Sequence, residues 1–131
     1  MMPRIFISHS YSDSSTAKAL SKALSEHGLE TLWVDTVEPG SEVAKKLGNA
    51  LRSAGWYVVL VSEESLKSPN VNFEIGAAMG GKKRVLPVFL TRSARKKASS
   101  PLSGFEGILV EGLSPRAIAE KVAQAIEKEA A

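Results

Sequence analysis

Blocks of apolar and polar positions along the chain predict an alternation of strands and helices. Short apolar runs predict strands over residues 4–8, 31–34, 56–61, 85–90 and 108–110. Apolar positions at helical spacing predict helices over residues 14–27, 42–54, 73–81 and from Pro115 onward. The run Trp56–Val61 is continuously apolar, which indicates a strand covered on both faces, as in a parallel sheet.

The order of these elements predicts an α/β fold, with a mostly parallel sheet and helices on both faces. In such sheets, ligands bind beyond the carboxyl ends of the strands. The segments expected there are residues 8–13, 35–41 and 62–70, together with the start of the helix that carries Glu74. Candidate functional residues are therefore sought in these segments.

Length and composition favour one domain spanning residues 1–131. An apolar content of 44% is typical of globular proteins, and the absence of cysteine excludes disulfides, thiolate metal sites and a cysteine nucleophile. The Ser- and Lys-rich stretch 91–104 lacks periodicity and is predicted to be a mobile loop. No apolar run is long enough for a membrane span, so we expect a cytoplasmic protein without membrane contact.

Charge offers little support for a nucleic-acid partner. The net charge is +3, and the basic residues cluster in 82–84 and 92–97 without interleaved aromatic side chains. A solvated loop and helix end explains this cluster, so no nucleic-acid binding is expected. The common phosphate-loop, zinc-protease and serine-hydrolase motifs are absent, and His9 and His27 lie too far apart in sequence to indicate a metal site.

The segment Phe73–Ala78 is the most informative one, because Glu74 is flanked by apolar and small residues. Its prediction at the start of a helix has a purely structural explanation, since a carboxylate in the first turn interacts favourably with the helix dipole. The small residues that follow also permit a flat ligand to approach closely. The local sequence alone favours the structural explanation.

Polar residues at the strand exits are open to similar pairs of interpretations. Ser8 and Ser10 offer hydroxyl groups suited to a ribose or a phosphate, whereas Ser12 and Asp13 are interpreted as caps of the following helix. Trp33 and Asp35 end the second predicted strand, where a packed indole and a turn-forming aspartate are the simpler explanation.

Several of these segments together resemble the Toll/interleukin-1 receptor (TIR) domain family, of the bacterial type. Residues 4–13 (RIFISHSYSD) resemble the family's opening box, and residues 32–35 with Glu38, Pro39 and Gly40 resemble its second strand and the BB loop that follows. Residues 58–62 and 85–88 resemble its third and fourth strands, and Glu74 falls at the position of the family's catalytic glutamate. The resemblance covers essentially the whole chain in the right order.

The resemblance implies a flavodoxin-like, three-layer fold with a five-stranded parallel sheet. It also implies one of two functions. Some members assemble with other TIR domains as signalling adaptors, and others cleave the nicotinamide–ribose bond of NAD⁺, in some cases forming a cyclic ADP-ribose signal in antiphage defence. For an enzyme of this kind NAD⁺ is the substrate, and no cofactor or metal is expected.

The resemblance further assigns roles to particular residues. Glu74 would stabilise or trap the oxocarbenium-like centre that forms when nicotinamide departs. The expected substrate-binding residues are Phe6, Ser8, His9, Ser10, Trp33, Asp35 and Asn70. The expected interaction loop, through which TIR domains would form a homo-oligomer or filament, comprises Glu38, Pro39, Gly40 and Ser41.

One departure from the family pattern concerns substrate identity. Many members have tryptophan four residues before the glutamate, and this chain has Asn70 there. The stretch 73–78 also resembles nucleoside 2-deoxyribosyltransferases, which act on the same class of N-glycosidic bond. The sequence therefore supports three hypotheses: an NAD⁺-cleaving enzyme, a non-enzymatic TIR adaptor and a deoxyribosyltransferase-like enzyme.

Overall fold

Five strands form a single parallel sheet at the centre of the protein. They are β1 (Arg4–Ser8), β2 (Glu30–Leu32), β3 (Trp56–Val61), β4 (Arg84–Phe89) and β5 (Ile108–Leu109). Their order in the sheet is β2-β1-β3-β4-β5, and every pairing is parallel. This computed structural model describes residues 4–32, 53–81, 83–99 and 102–130.

Helices cover both faces of this sheet. They are α1 (Ser14–Glu26), α2 (Glu63–Leu66), α3 (Pro69–Gly80), α4 (Arg92–Lys97) and α5 (Pro115–Ala130), with short 3₁₀ helices at Tyr11–Asp13 and Leu102–Gly104. The fold is the expected flavodoxin-like sandwich, which confirms the predicted α/β class. The predicted helix over residues 42–54 falls largely outside the described residues.

Side chains of the inner strands alternate between two apolar layers. Ile5 and Ile7 of β1 pack in the layer that contains α1 and α5, whereas Phe6 between them packs in the layer that contains α3. In β3 the same alternation places Val58 and Leu60 on the first side and Val59 and Val61 on the second. The continuous apolar runs of the sequence therefore reflect strands that are buried on both faces.

The ends of α1 and α5 follow from local sequence signals. Gly28 adopts a positive φ of 79°, and the N–H groups of Gly28 and Leu29 donate to the carbonyls of Ser25 and Leu24. This is the Schellman arrangement, in which a glycine in the left-handed region closes the helix. At the start of α5, the Ser114 hydroxyl accepts the Ala117 N–H at 3.2 Å, as the Ser-Pro signal predicts.

Helix α3 begins four residues before the predicted start at Phe73. Ser68 accepts the Val71 N–H through its hydroxyl, and Pro69 occupies the first helical position. Ser68 and Pro69 lie before the helix predicted from the sequence, although a Ser-Pro pair is a helix-start signal. As a consequence Glu74 lies in the second turn of α3, so its predicted placement at the helix N-terminus was wrong.

Two stretches predicted as irregular also contain helices. The polar loop predicted over residues 62–71 contains α2, which Ser62 and Ser65 cap reciprocally. The stretch 91–104 contains α4, whose first turn is capped by a 3.0 Å hydrogen bond from the Ala94 N–H to the Thr91 hydroxyl. Both helices have fewer than two full turns, so hydrophobic periodicity had little length in which to appear.

Candidate functional site

The order of the strands places a crevice beside the carboxyl end of β1. In the sheet, β2 is the neighbour of β1 on one side, and β3, which follows later in the chain, is its neighbour on the other side. Where the strand order reverses in this way, the segments that follow β1 and β3 diverge and leave a crevice. This crevice, the topological switch point, is the usual ligand site of doubly wound folds. Ser8 ends β1 and Ser62 directly follows β3, so both lie at this switch point.

Polar side chains are buried at this edge of the sheet. Their exposed fractions are 0% for Ser8, 6% for His9, 6% for Ser10, 7% for Ser62 and 5% for Glu74. Buried polar groups are costly unless they are hydrogen-bonded, so their partners determine what the cluster can do. The fold thus brings four of the predicted site residues together at the carboxyl ends of the strands: Ser8, His9, Ser10 and Glu74.

Glu74 is held by a hydrogen bond from the end of β1. The Ser8 hydroxyl donates to Oε1 of Glu74 at 2.6 Å, across 66 positions of sequence. Burial raises the pKa of the Glu74 carboxyl from its ordinary value of 4.5 to about 7, while the hydrogen bond from Ser8 acts in the opposite direction. Near neutral pH this carboxyl therefore exchanges readily between its protonated and ionised forms.

Asp13 joins the loop after β1 to the loop after β3. Its Oδ2 accepts hydrogen bonds from the Ser10 hydroxyl at 2.8 Å and from the Ser62 hydroxyl at 2.5 Å. Asp13 stands at the N-cap position of α1 but makes no side-chain capping bond there, so the predicted capping role was wrong. The carboxylate instead links the segment after β1 to the segment after β3 through these two hydrogen bonds.

His9 and Phe6, two further residues predicted to bind substrate, have different surroundings. Nδ1 of His9 lies 2.8 Å from the backbone carbonyl oxygen of Ser10, which fixes the orientation of the ring. Phe6 is fully buried, and its ring centroid lies 5.5 Å from that of Tyr57. Phe6 therefore packs within the core next to the polar cluster.

Tyr57 is a polar neighbour that the sequence interpretation missed. Burial, with a further contribution from the charge of Glu74, raises the pKa of the Tyr57 hydroxyl to about 12. Tyr57 lies within the apolar run of β3, where only its hydroxyl group distinguishes it from the core residues around it. No sequence signal links it to Glu74, because their proximity depends on the packing of α3 against the sheet.

Several predicted site residues lie outside the described residues. These are Trp33, Asp35, Glu38, Pro39, Gly40 and Ser41. Asn70 is the second residue of α3, but its side chain is outside the described part as well. The described site therefore consists of the segments that follow β1 and β3, together with α3.

Comparison with known proteins decides the family. The family model described as "TIR domain" matches residues 5–125. This chain belongs to the TIR domain family. A search of curated proteins found no match.

Solved structures share the fold of this TIR domain at low sequence identity. The TIR domain of the Toll-related receptor TRR-2 from Hydra magnipapillata has a TM-score of 0.72 and 15% identity, over 94% of this chain and 97% of that one. The RPS4 and RRS1 TIR domain heterodimer gives a TM-score of 0.70 and 18% identity, over 98% and 97%. A flavodoxin-like domain from Synechococcus gives 0.55 and 18%, over 93% and 92%.

Two negative findings concern the described part of this TIR domain. Within the described ranges, no group of three or more His, Asp and Glu side chains is arranged to hold a metal ion. No helix among these residues is long and apolar enough to cross a bilayer.

Proposed function

We propose that this TIR domain cleaves the nicotinamide–ribose bond of NAD⁺, with Glu74 as the catalytic carboxylate. The observation that carries the proposal is a buried carboxylate, oriented by Ser8, at the switch point of a doubly wound sheet. A group whose pKa lies near 7 and which is positioned by a neighbouring element is typical of catalytic sites.

The chemistry requires a negative charge close to the anomeric carbon. Departure of nicotinamide leaves an oxocarbenium-like centre, and the Glu74 carboxylate would stabilise this positive charge or trap it covalently. Water or a group of the substrate itself then completes the reaction, which gives linear or cyclic ADP-ribose. Ser8 fixes one carboxylate oxygen and thereby the direction of the other.

The neighbouring residues would position the substrate. Asn70 precedes Glu74 by four residues on α3, so the two positions share one face of the helix. We propose that His9 and Ser10 contact the ribose or a phosphate, because they lie at the end of β1 beside the residue that holds Glu74. We propose that Trp33 and Asp35, which follow β2 in the sequence, also contribute to substrate binding.

The test is nicotinamide release from NAD⁺ by the parent protein and by Glu74→Gln. This variant keeps the size of the side chain but lacks the carboxylate, so we expect activity to fall by at least about 100-fold, the lower end of the usual effect of one electrostatic catalytic group. Glu120→Gln is the matched control, since Glu120 is exposed on α5, and it should retain full activity. A Glu74→Gln protein as active as the parent would exclude the proposed role.

The pH profile offers a second readout of the same proposal. If the ionised form of Glu74 is the active one, the rate should increase as the pH rises through about 7. Ser8→Ala removes a donor that favours the ionised form, so it should move this increase to higher pH. Ser12→Ala, at an exposed position, serves as the control.

A different experiment tests the deoxyribosyltransferase alternative. Base exchange on a deoxynucleoside, without cleavage of NAD⁺, would identify an enzyme of that class.

A second function, assembly with other TIR domains, is supported by a different observation. One of the similar structures is a heterodimer of two TIR domains, which this chain matches over 98% of its length. We propose that this TIR domain also associates with other TIR domains through the loop that contains Pro39 and Gly40.

A further inference from the structure

A second candidate ligand site lies along β4, away from the Glu74 cluster. A cavity of about 470 Å³ opens beside Trp56 and Arg84, the paired first residues of β3 and β4. It extends along β4 as far as Ile108 of β5, which pairs with Val88. Its volume falls within the range of roughly 300–1,000 Å³ that small-molecule sites occupy. Since β3 has six residues, Trp56 lies roughly 16 Å from the carboxyl end of that strand.

Basic side chains converge on this cavity from two directions. Lys83 and Arg84 approach from the start of β4, and Lys128 approaches from the last turn of α5. Among the lining residues that the structure describes, Glu106 is the acidic one. Three cations against one carboxylate produce a positive potential, which a concave surface with apolar walls strengthens. The charge of the lining therefore favours an anionic ligand.

Two aromatic side chains, Trp56 and Phe105, line the cavity. The Trp56 ring is largely buried, and the Arg84 guanidinium carbon lies 5.6 Å from its centroid. Phe105 contributes a second ring from the segment that precedes β5. Aromatic faces and a guanidinium group stack well on flat conjugated rings. The walls thus favour a ligand with an aromatic part beside its negative charge.

One small residue keeps the space between these walls open. Ala125 of α5 lines the cavity, whereas its neighbour Ile126 points into the core, where it is 1% exposed. A larger side chain at position 125 would extend into the volume that the ligand needs. This position therefore allows the cavity to be filled without any change of charge.

From this arrangement we infer that the cavity binds a small phosphorylated ligand with an aromatic ring, of the mononucleotide class. Lys128, Lys83 and Arg84 neutralise the phosphate, and Trp56 and Phe105 contact the base. The site is distinct from the Glu74 cluster, because it shares no residue with that cluster and includes Ala125 and Lys128 of α5, whereas Glu74 belongs to α3. The inference does not depend on NAD⁺ cleavage.

The experiment is calorimetric titration of the whole chain with AMP, adenosine and ribose 5-phosphate. AMP should bind one to one, and each of the other two should bind at least about tenfold more weakly, because each lacks one of the two recognised groups. Lys128→Glu should weaken AMP binding at least about tenfold, and Ala125→Leu should do the same by occupying the cavity. Raising the salt concentration should weaken the binding of AMP but hardly affect adenosine.

Matched variants separate this site from the Glu74 cluster. Lys121→Glu introduces the same charge change as Lys128→Glu at another exposed position of α5 and should leave AMP binding unchanged. Glu74→Gln should leave it unchanged as well. The inference is overturned if AMP fails to bind at millimolar concentration, or if binding survives in Lys128→Glu. Thermal unfolding of each variant monitors folding, and Lys128→Glu decides the matter if Ala125→Leu does not fold.

Discussion

Burial and a hydrogen bond act in opposite directions on the Glu74 carboxyl. Burial disfavours the charged form and raises the pKa to about 7, whereas the hydrogen bond from Ser8 favours the charged form. Burial dominates, so the folded state holds a proton at pH values where an exposed glutamate has lost it. Such a group links folding stability to pH, whatever its role in catalysis.

The sign of this linkage gives a testable result. Because the pKa of Glu74 is higher in the folded state than in the unfolded state, the protein should lose stability as the pH rises from about 4.5 to about 7. The shift corresponds to roughly 3 kcal/mol in the free energy of unfolding. Glu74→Gln removes this titration, so the difference between parent and variant should change across the range. Denaturant unfolding between pH 4 and pH 8 measures it.

The exposed Glu120→Gln again provides the control. Its unfolding free energy should follow that of the parent across the same pH range. A difference between the parent and Glu74→Gln that stays constant from pH 4 to pH 8 would show that burial does not perturb this carboxyl.

At the scale of elements, glycines mark where backbones approach closely. An added Cβ at Gly107, just before β5, would lie 2.6 Å from the Phe89 ring and 2.7 Å from the carbonyl oxygen of Pro87. The second of these atoms belongs to the backbone of β4, which cannot move aside like a flexible side chain. Among the described residues, no atom of another element lies within 4 Å of such a Cβ at Gly76, in the interior of α3.

This contrast predicts opposite effects of one substitution. Gly107→Ala should destabilise the fold by about 1–3 kcal/mol, because the added methyl group separates β4 from the segment that precedes β5. Gly76→Ala should stabilise it by about 0.5–1 kcal/mol, because alanine loses less conformational entropy in a helix. Denaturant unfolding of the two variants and the parent measures both effects. Equal effects of the two substitutions would contradict the packing described for Gly107.

For the molecule as a whole, the order of the strands determines which segments can act together. Ser8, Ser62 and Glu74 belong to three separate segments, and the parallel sheet brings them to one edge. Asp13 joins two of these segments through its bonds to Ser10 and Ser62. The basic and aromatic cavity lies beside β4 and β5 and shares no residue with the Glu74 cluster, so the two candidate sites are separate.

Assembly is the prediction that belongs to this scale. If this TIR domain associates with copies of itself through the loop of Pro39 and Gly40, its mass in analytical ultracentrifugation should increase with protein concentration. Pro39→Ala and Gly40→Ala should each weaken association, because proline restricts and glycine extends the conformations that a loop can adopt. The exposed Lys121→Ala should have no effect. A strictly monomeric parent at millimolar concentration would contradict assembly.

Several residues of the candidate site could be predicted from the sequence, but the hydrogen bonds between them could not. Glu74, Ser8, His9 and Ser10 were identified through the family resemblance and the polar character of the strand exits. Tyr57 was missed because a tyrosine within an apolar strand resembles any other core residue. The role of Asp13 was misassigned because a local capping interaction is the commonest explanation of an aspartate before a helix.

Hydrophobic periodicity by itself determined the α/β class, since it records which faces of each element are buried and extends over whole strands and helices. Local sequence also determines the end of α1 and the start of α5, where a glycine or a serine acts on its immediate neighbours. Only the tertiary structure decided that Ser8 donates to Glu74, that Asp13 joins two loops, and that α3 places the carboxyl in its second turn. These features depend on contacts between residues distant in sequence, and a local pattern carries no information about which distant groups will meet.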